Sequence, residues 1–567
     1  MSSSARVGQP SLKVPKENNR LLCWPAAHDS AHLLDNNHEI LSHNGLPVWF
    51  RRLRELGRKQ AMLAAQRYLS AYAPALSQSI TNMDLNCLRL VLGGHQPELF
   101  HPGVWFKNFL LAEISARTNS IGLQVIVDHD VAKSDTLRVP SCTLTKTNQQ
   151  GSKVFALRSI PLPIREESQA RMPWHTTLTP HLDPAAWEKT ITNVFQSMSE
   201  CGLPQPLLLR RNKMFAECIA STQNIGDAFS HFRHRIEMES GVFNLEVPIG
   251  HLCAESAFGF FVHHCVRNAD ALWSSYNGCR EAYRIRHRIK NQAQPVLELL
   301  RQGDWIELPF WIYQERQTAV ERKRLWVCNK NNQLHLSDHF DAAQATVSVS
   351  LPWMGKGLST AWEAIQKSGI CIRPRALMTT LYLRCFVADL FVHGIGGGTY
   401  DELTDDIMRD WIGIEPPVYI TSSASLHLPF PVESDLQQFD PVSTWSNVRR
   451  ELQLLRSVPE KFLEPANEAH RTLIELHVRQ IASIPERGHK LKWHQETKRI
   501  KQQIESEIEP RKQVAQAKLD AIERTMQQNK ILRSREYSFV LFDESDVVVR
   551  LSKLAKVAFR HKTDAGK

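Results

Sequence analysis

Two short polar clusters in the first quarter of the chain contain residue types that catalyse reactions. The first is loop 93–103, which carries His95, and the second is the run Asp128-His129-Asp130. Imidazoles transfer protons near neutral pH, and carboxylates transfer protons or hold an ammonium group. The two clusters are therefore the first candidates for a functional site.

The sequence around these clusters has the pattern of a β-loop-α-β unit. Residues 88–92 and 121–127 are apolar runs of strand length, and residues 104–117 have apolar side chains at helical spacing. Two glycines after the first run predict a tight turn. In parallel α/β sheets, ligands bind beyond the carboxyl ends of the strands, which is where both clusters would lie. The alternative for the loop is a rigid turn that its histidines cap.

A second glycine loop, 393–400, follows a helix candidate at 377–391. Amides of consecutive glycines can form an anion-binding nest, and a helix beginning after Tyr400 would add its positive end. The loop lacks the third glycine of the dinucleotide fingerprint and the Lys-Ser/Thr of a P-loop, so a bare turn is the alternative. Arg373, just before the helix candidate, could bind a substrate carboxylate or phosphate, or form a structural ion pair.

Segment 304–311 joins a carboxylate to several aromatic side chains, among them Trp311. Such a segment lines a pocket or fills a core. An apolar environment would raise the pKa of Glu307 toward the range useful for general acid or base catalysis.

Composition limits the possible classes of protein. A chain of 567 residues that is 42% hydrophobic predicts two or three globular domains. The net charge of +10 suits an anionic substrate, while the mixed charges of residues 490–533 favour a solvated helical face over a nucleic-acid groove. Eleven cysteines without a C-x-x-C pair predict reduced thiols. We expect a cytoplasmic protein, because no signal peptide or membrane span is apparent.

We predict four regions along the chain. Residues 1–87 form an N-terminal helical annex, residues 88–440 an α/β core with insertions, residues 441–533 a helical domain, and residues 534–567 a strand-containing return to the core. The helical domain has a narrow apolar seam of coiled-coil type, which Pro510 should kink or break. Such a domain makes a dimer, a lid or an intramolecular hairpin. The seam consists of Ile500, Ile504, Ile508, Ala515, Leu519, Ile522 and Met526.

The order of the motifs resembles that of the BshC family, the cysteine-adding enzymes of bacillithiol biosynthesis. The similarity extends from about residue 88 through Pro416-Pro417-Val418 and the long helical segment. The features that carry it are Gly94-His95-Gln96-Pro97 through Phe100, Asp128-His129-Asp130, Glu307 with Pro309-Phe310-Trp311, Arg373-Pro374, and the glycine loop ending in Tyr400.

The resemblance implies a Rossmann-like parallel-sheet core with inserted connecting elements, a coiled-coil domain that forms a homodimer, and condensation of cysteine with an anionic amino-sugar conjugate. Several positions depart from the family. His95 replaces a glutamine, Lys133 replaces a glutamate, and the family's helix lysine matches Phe109, or Lys107 if two residues are lost. The substrate or anion contacts that we predict are Gly94, Gln96, Pro97, Phe100, Lys107, Lys133, Glu307, Trp311, Arg373, Gly394, Gly396, Gly397, Gly398 and Tyr400.

The functional hypothesis is a ligase that forms an amide between cysteine, or a related amino acid, and the amino group of a small anionic partner. Under this hypothesis His95 and His129 transfer protons, and Asp128 or Asp130 orients the ammonium group of a substrate. Because a free carboxylate must be activated, a nucleotide such as ATP or ADP is implied, and we assign no metal ligands. One alternative is a metal-assisted hydrolase, for which His95, His101, Asp128, His129 and Asp130 offer ligands. The other is a non-catalytic protein whose basic helices contact nucleic acid or another partner.

Overall fold

The computed structural model describes residues 12–85, 88–131, 135–145, 152–164, 172–177, 183–315, 320–431, 441–486 and 490–560. The fold is mixed α/β. The strands are β1 Arg20–Trp24, β2 Leu90–His95, β3 Ile121–Ile126, β4 Thr136–Thr145, β5 Ser152–Pro161, β6 Leu245–Pro248, β7 Arg301–Gln302, β8 Trp305–Gln314, β9 Lys323–Lys330, β10 Gln333–Ser337, β11 Ser348–Pro352, β12 Ile370–Pro374, β13 Leu390–His393 and β14 Tyr419–Ser425.

The helices surround these strands and form a separate arm near the C-terminus. In chain order they are α1 Ser30–Ser42, α2 Val48–Ser70, α3 Pro74–Thr81, α4 Pro102–Thr118, α5 Pro184–Glu200, α6 Leu207–Arg210, α7 Asn212–Ser221, α8 Ile225–Glu239, α9 Ile249–Ala254, α10 Ser256–Arg267, α11 Ala269–Arg286, α12 Leu358–Lys367, α13 Ala376–Phe386, α14 Ile395–Ile407, α15 Pro441–Ser457, α16 Glu468–Ala482, α17 Lys490–Leu532 and α18 Glu544–Val557.

A six-stranded sheet forms the centre, in the order β1-β14-β13-β2-β3-β6. The five strands from β14 to β6 are parallel, and β1 pairs antiparallel with β14. The predicted β-loop-α-β unit is present as β2, α4 and β3. Chain order reverses between β13 and β2, since β3 and β6 continue on one side and β14 on the other. Open α/β sheets bind ligands at such a switch point, beyond the carboxyl ends of the strands.

The predicted tight turn at Gly93 and Gly94 is wrong, because β2 continues through both glycines to His95. Gly93 pairs with Gln124 of β3, and Gly94 pairs with Val125. A Cβ atom on Gly93 would lie only 2.8 Å from the Gln124 side-chain oxygen. The glycine therefore accommodates a neighbouring side chain within the sheet.

The N-terminal region is helical from α1 to α3 but is not a separate annex, because β1 is an edge strand of the central sheet. Pro74 begins α3, since its fixed φ suits the first helical turn. Asp389, just before β13, is fully buried and accepts hydrogen bonds from Arg54, Arg58 and the backbone amide of Leu90. This carboxylate ties α2 to two central strands.

A second, antiparallel sheet has the order β11-β10-β9-β8-β12, with β7 paired to β8. It carries Glu307 and Trp311 on β8 and Arg373 on β12. The helix predicted at 377–391 ends earlier, at Phe386, because the chain must turn into β13 at Leu390.

The predicted helical domain is present as an arm made of α15, α16 and α17. Part of its apolar seam packs inside the chain: Ile500, Ile504 and Ile508 are buried in a cluster with Leu452 and Leu455. This packing matches the intramolecular alternative. Pro510 lies inside the continuous helix α17 and does not break it. No helix in the described part of the chain is both long and apolar enough to cross a bilayer.

The final segment returns to the core, but the strands predicted at 538–541 and 547–551 are wrong. Residues Phe539–Leu541 form a 3-10 helix and α18 follows, because Ser538 and Asp543 accept hydrogen bonds from the first free amides of these helices. The Phe539 amide donates to the Phe100 carbonyl at 2.8 Å. The C-terminal segment thus contacts the loop that follows β2.

Candidate functional site

Lys107 lies at the switch point of the central sheet. It projects from α4, and its Nζ donates to the Gly94 carbonyl at 2.8 Å. A Cβ atom on Gly394, the residue between β13 and α14, would lie 4.0 Å from the same Nζ. The lysine is buried, and burial lowers its pKa to about 8. Its ammonium group therefore occupies the space between the ends of β2 and β13.

Arg535 brings a second cation to this rim from the C-terminal segment. Its Nη2 donates to Ser423 Oγ at 2.9 Å and lies 3.4 Å from His101 Nδ1. The Nε and Nη1 atoms of Arg535 are buried and have no hydrogen-bond partner among the described residues, although Nε lies 3.5 Å from the Glu536 carboxylate. Burial, together with the charges of Arg535 and Lys107, lowers the pKa of His101 to about 3. We call Lys107, Arg535 and their surroundings between β2, β13 and β14 the rim crevice.

The aspartate cluster follows β3 at the same rim. Asp130 accepts hydrogen bonds from Gln96 Nε2 at 2.6 Å and from Arg322 Nη1 at 2.8 Å. Asp128 accepts from the Gly250 amide at 3.0 Å. Burial opposes ionisation of Asp130, but the charges of His129 and Arg322 outweigh it and lower the pKa. The loops after β2, β3 and β6 are thus joined by carboxylate hydrogen bonds.

His129 is almost fully buried within this cluster, and its Nδ1 has no hydrogen-bond partner in the residues that the structure describes. Burial lowers its pKa to about 4, against the opposing effect of Asp130 and Asp128. The imidazole is therefore neutral at pH 7. Its unpaired nitrogen can take part in a hydrogen bond with a ligand, but a pKa this far below neutrality makes the ring a weak base, and the predicted proton transfer stays a prediction.

His95 and His101 both make local contacts. The His95 ring nitrogens lie 3.0 Å from the Gln96 carbonyl and 3.2 Å from Asn108 Oδ1, and its ring packs edge-on against Phe100 at 4.5 Å. Burial lowers the pKa of His95 well below its usual value. His101 caps α4 by accepting from the Gly103 amide at 3.0 Å. These contacts match the rigid-turn alternative, and a proton-transfer role for His95 stays a prediction.

Arg373 lies beside the aspartate cluster. It is buried, its Nη2 is 3.2 Å from Cys371 Sγ and 3.7 Å from Glu315, and its charge lowers the pKa of His129 in addition to burial. The ion pair with Glu315 corresponds to the structural alternative considered for this arginine. Its Nε has no partner within the described ranges.

Glu307 does not have the apolar surroundings that the sequence suggested. It is fully buried on β8, but Arg375 lies 2.8 Å and Arg324 3.1 Å from its two oxygens. Trp311 is stacked between guanidinium groups, with Arg375 at 4.4 Å and Arg322 at 5.0 Å from the ring centre. Glu307 is therefore an ion-paired group. Trp311 contacts Arg322, which in turn donates to Asp130 of the aspartate cluster.

The predicted glycine nest is wrong, because α14 begins at Ile395 and includes Gly396, Gly397 and Gly398. A Cβ on Gly398 would collide with the Thr421 side chain, so this glycine allows α14 to lie close to β14. Tyr400 lies within α14 and is exposed. Because the helix begins earlier than predicted, its N-terminus, rather than a glycine loop, faces the rim.

The last two predicted substrate contacts are Pro97 and Lys133. Pro97 is buried, and its ring lies 3.4 Å from the position of a Cβ on Gly226. Lys133 lies outside the described residues.

Several residues at the rim were not predicted from the sequence. Arg535, Arg322, His175, Glu315 and Cys371 come from segments far from both polar clusters, and none lies in a recognisable motif. The ligands suggested for a metal-assisted hydrolase do not converge. Where the structure describes the chain, three ligand atoms within 4.8 Å of one another occur instead at His175, Glu315 and Cys371, and at His234, Glu237 and Glu246.

The fold and the rim together define a mixed α/β protein with two basic side chains, Lys107 and Arg535, at the rim of a largely parallel sheet. No protein-family model matches this chain, and no curated protein matches it.

Proposed function

We propose that this chain is a ligase that joins an amino acid, cysteine in the case that the BshC resemblance suggests, to the amino group of a small anionic partner. In this proposal the central sheet is a Rossmann-like core and the substrates bind at the rim crevice. The observation that carries the proposal is the buried ammonium group of Lys107 at the switch point.

A buried ammonium group with one carbonyl acceptor is poorly compensated. Among the described residues, Nζ of Lys107 bonds only to the Gly94 carbonyl, although an ammonium group has three hydrogens to donate. The resulting cost is reflected in the lowered pKa. An anionic substrate group beside Nζ would offset this unfavourable free energy, which supports a role for Lys107 in binding an anion.

Further positive groups favour an anion at the same place. The N-terminus of α14 follows β13 directly and that of α4 follows the loop after β2, and helix N-termini attract negative charge. Arg535 adds a guanidinium whose Nη1 has no hydrogen-bond partner among the described residues. A carboxylate or the phosphates of a nucleotide fit this charge, so the implied ATP or ADP is compatible with the crevice.

In the proposal the aspartate cluster binds the amino group that reacts. The substrate amine attacks the activated carboxyl group as the free base, and His129, neutral at pH 7, accepts the proton that the nitrogen releases as the new C–N bond forms and the leaving group departs. Asp128 and Asp130 already accept hydrogen bonds and so have fixed orientations in which to hold that ammonium.

Ligand binding by the purified chain tests this proposal. We expect one nucleotide, together with cysteine or a malate-like dianion, to raise the melting temperature selectively in a panel of ADP, ATP, cysteine, serine and malate. Ligands that bind the native state alone stabilise it by mass action. Serine is the matched control for the thiol. If none of these compounds shifts the melting temperature at millimolar concentration, the proposed substrate class is wrong.

We also propose that the arm contacts a second copy of the chain. Exposed apolar side chains cluster toward its end, at Leu476, Val478, Ile481, Ile484 and Leu491, and such clusters mark interaction surfaces. The double variant Val478→Lys, Ile481→Lys should convert a dimer into a monomer by light scattering. Val48→Lys, an equally exposed change on α2, should leave the mass unchanged. A monomeric wild-type chain at micromolar concentration would refute this arrangement.

A further inference from the structure

Three side chains of metal-ligand type meet beside the aspartate cluster without having a part in the proposed ligase chemistry. His175 comes from the 3-10 helix Trp174–Thr176, Glu315 follows β8, and Cys371 lies on β12. Cys371 Sγ and His175 Nε2 lie 2.8 Å and 3.2 Å from the same oxygen of Glu315. Three residues distant in sequence thus direct a sulfur, a nitrogen and an oxygen at one point.

The orientation of His175 is fixed by hydrogen bonds from a second layer. Its Nδ1 lies 2.9 Å from the Asp128 carbonyl oxygen, which can only accept, so Nδ1 carries a proton. Nε2 then points at the Glu315 carboxylate and lies 3.2 Å from the Tyr313 hydroxyl oxygen. A metal ion placed between Nε2 and the carboxylate would bind both, with the Tyr313 hydroxyl turned away from the ring nitrogen. Metal-binding histidines have this arrangement, with the other nitrogen donating to a carbonyl.

Cys371 supplies the third candidate ligand atom, a buried sulfur. Without a metal its thiol is protonated and donates to Glu315, since burial raises its pKa to about 12. A bound metal ion would displace that proton and leave a thiolate. Arg373 Nη2, 3.2 Å from the sulfur, can donate to the thiolate. Its charge also opposes a cation, and the two negative charges of thiolate and carboxylate offset that repulsion.

We propose that His175, Glu315 and Cys371 bind one divalent transition-metal ion of the zinc class. A set of nitrogen, oxygen and sulfur ligands suits Zn²⁺ and disfavours Mg²⁺ or Ca²⁺, which prefer oxygen alone. Three protein ligands leave the fourth tetrahedral position for water or a substrate group. His175 and Glu315 are partly exposed, so this position can be reached from solvent.

The ligand atoms need a small adjustment to hold the ion. Bond lengths of about 2.0 to 2.3 Å place tetrahedral ligand atoms roughly 3.5 Å apart. The present separations from Glu315 are 2.8 and 3.2 Å, so the carboxylate must move back by several tenths of an ångström. Glu315 follows the end of a strand and its side chain is 38% exposed, which makes this shift inexpensive.

A second group of three metal-ligand side chains elsewhere in the described chain can be compared with this site. His234, Glu237 and Glu246 are fully buried, and Arg233 lies 2.8 Å and 2.6 Å from the two carboxylates. Arg233 makes a short ion pair with each of two carboxylates and so takes the place of a cation, whereas Arg373 lies 3.7 Å from the single carboxylate of the proposed site. This group is therefore an ion-pair network, and we expect no metal there.

Cobalt titration of the metal-stripped full chain tests the proposal. We expect one Co²⁺ per chain, with a thiolate-to-cobalt charge-transfer absorption that added Zn²⁺ removes. Cys371→Ser should abolish this absorption, and His175→Gln should weaken binding at least tenfold. Cys328→Ser, which changes a buried cysteine of the same sheet, should bind as the wild type does.

Two results would overturn the site. One is the absence of a thiolate band in the wild-type chain, and the other is a band that persists in Cys371→Ser protein that is folded by circular dichroism. If Cys371→Ser does not fold, His175→Gln provides the test, because a partly exposed side chain can be changed without unfolding the chain. Unchanged metal affinity in His175→Gln would then refute the site. The metal site and the Lys107 crevice share no residues, so failure of one leaves the other standing.

Discussion

Replacing Lys107 by methionine should stabilise the folded chain while abolishing its binding of anionic ligands. Burial lowers the pKa of this lysine from 10.5 to about 8. A shift of that size corresponds to about 3 kcal/mol of unfavourable free energy in the folded state at neutral pH. Loss of the hydrogen bond to Gly94 returns about 1 kcal/mol. The net gain in the free energy of unfolding is therefore about 2 kcal/mol, measurable by urea denaturation.

The pH dependence of wild-type stability follows from the same shift. Between pH 8 and 10.5 the unfolded state binds more protons at this lysine than the folded state does, so the contribution of Lys107 to stability increases as the pH rises through that window. The Lys107→Met variant should lack this slope. Anion binding by the wild type should show the opposite trend and weaken above about pH 8, because the ammonium group loses its charge.

A surface lysine provides the control. Lys367→Met changes an exposed side chain on α12 and should alter neither stability nor binding measurably. Any anion that raises the wild-type melting temperature should bind Lys107→Met at least tenfold more weakly. Unchanged affinity in a stabilised Lys107→Met protein would show that the lysine is buried without binding substrate.

Acidification from pH 7 to pH 5 is expected to cost the chain much of its stability. Burial lowers the pKa values of His129 and His234 to about 4 and that of His231 to about 3. Below pH 6.5 the unfolded state binds protons at these positions while the folded state does not, so stability is lost as the pH falls. At pH 5 each histidine contributes a loss of roughly 2 kcal/mol, against a typical total of about 5 to 15 kcal/mol.

His231→Phe isolates one of these contributions. The His231 ring stacks on Tyr72 at 3.7 Å and its Nε2 lacks a partner among the described residues, so phenylalanine keeps the stacking and cannot bind a proton. The variant should lose less stability between pH 7 and pH 5 than the wild type, by roughly 2 kcal/mol in urea denaturation. His32→Gln, at an exposed position on α1, should leave the slope unchanged. Equal slopes in all three proteins would contradict a neutral, buried His231.

The local sequence pattern was sufficient for the elements that lead to the site. Apolar runs and helical spacing predicted β2, α4 and β3 as one unit, and polar residues after the strands predicted the positions of His95 and of the aspartate cluster. The helical arm followed from the same periodicity. These features depend on residues close in sequence, because strand and helix patterning repeats within a few positions.

Glycines were interpreted wrongly for a physical reason. Their freedom suits turns, but Gly93 continues a strand because Gln124 needs the space, and Gly398 is in a helix because Thr421 lies against it. The strands predicted after residue 537 failed similarly. There, capping by Ser538 and Asp543 selects helices over strands, although the short apolar runs suit either.

Local patterns in the sequence were enough to predict the β-loop-α-β unit, the helical arm and the end of the sheet at which polar side chains lie. Which of these side chains contact one another depends on the folded structure. Arg535 reaches His101 across 434 positions of chain, and Cys371 meets His175 through a second sheet. No local pattern encodes such contacts, because they depend on how separate sheets and the returning C-terminal segment pack against one another.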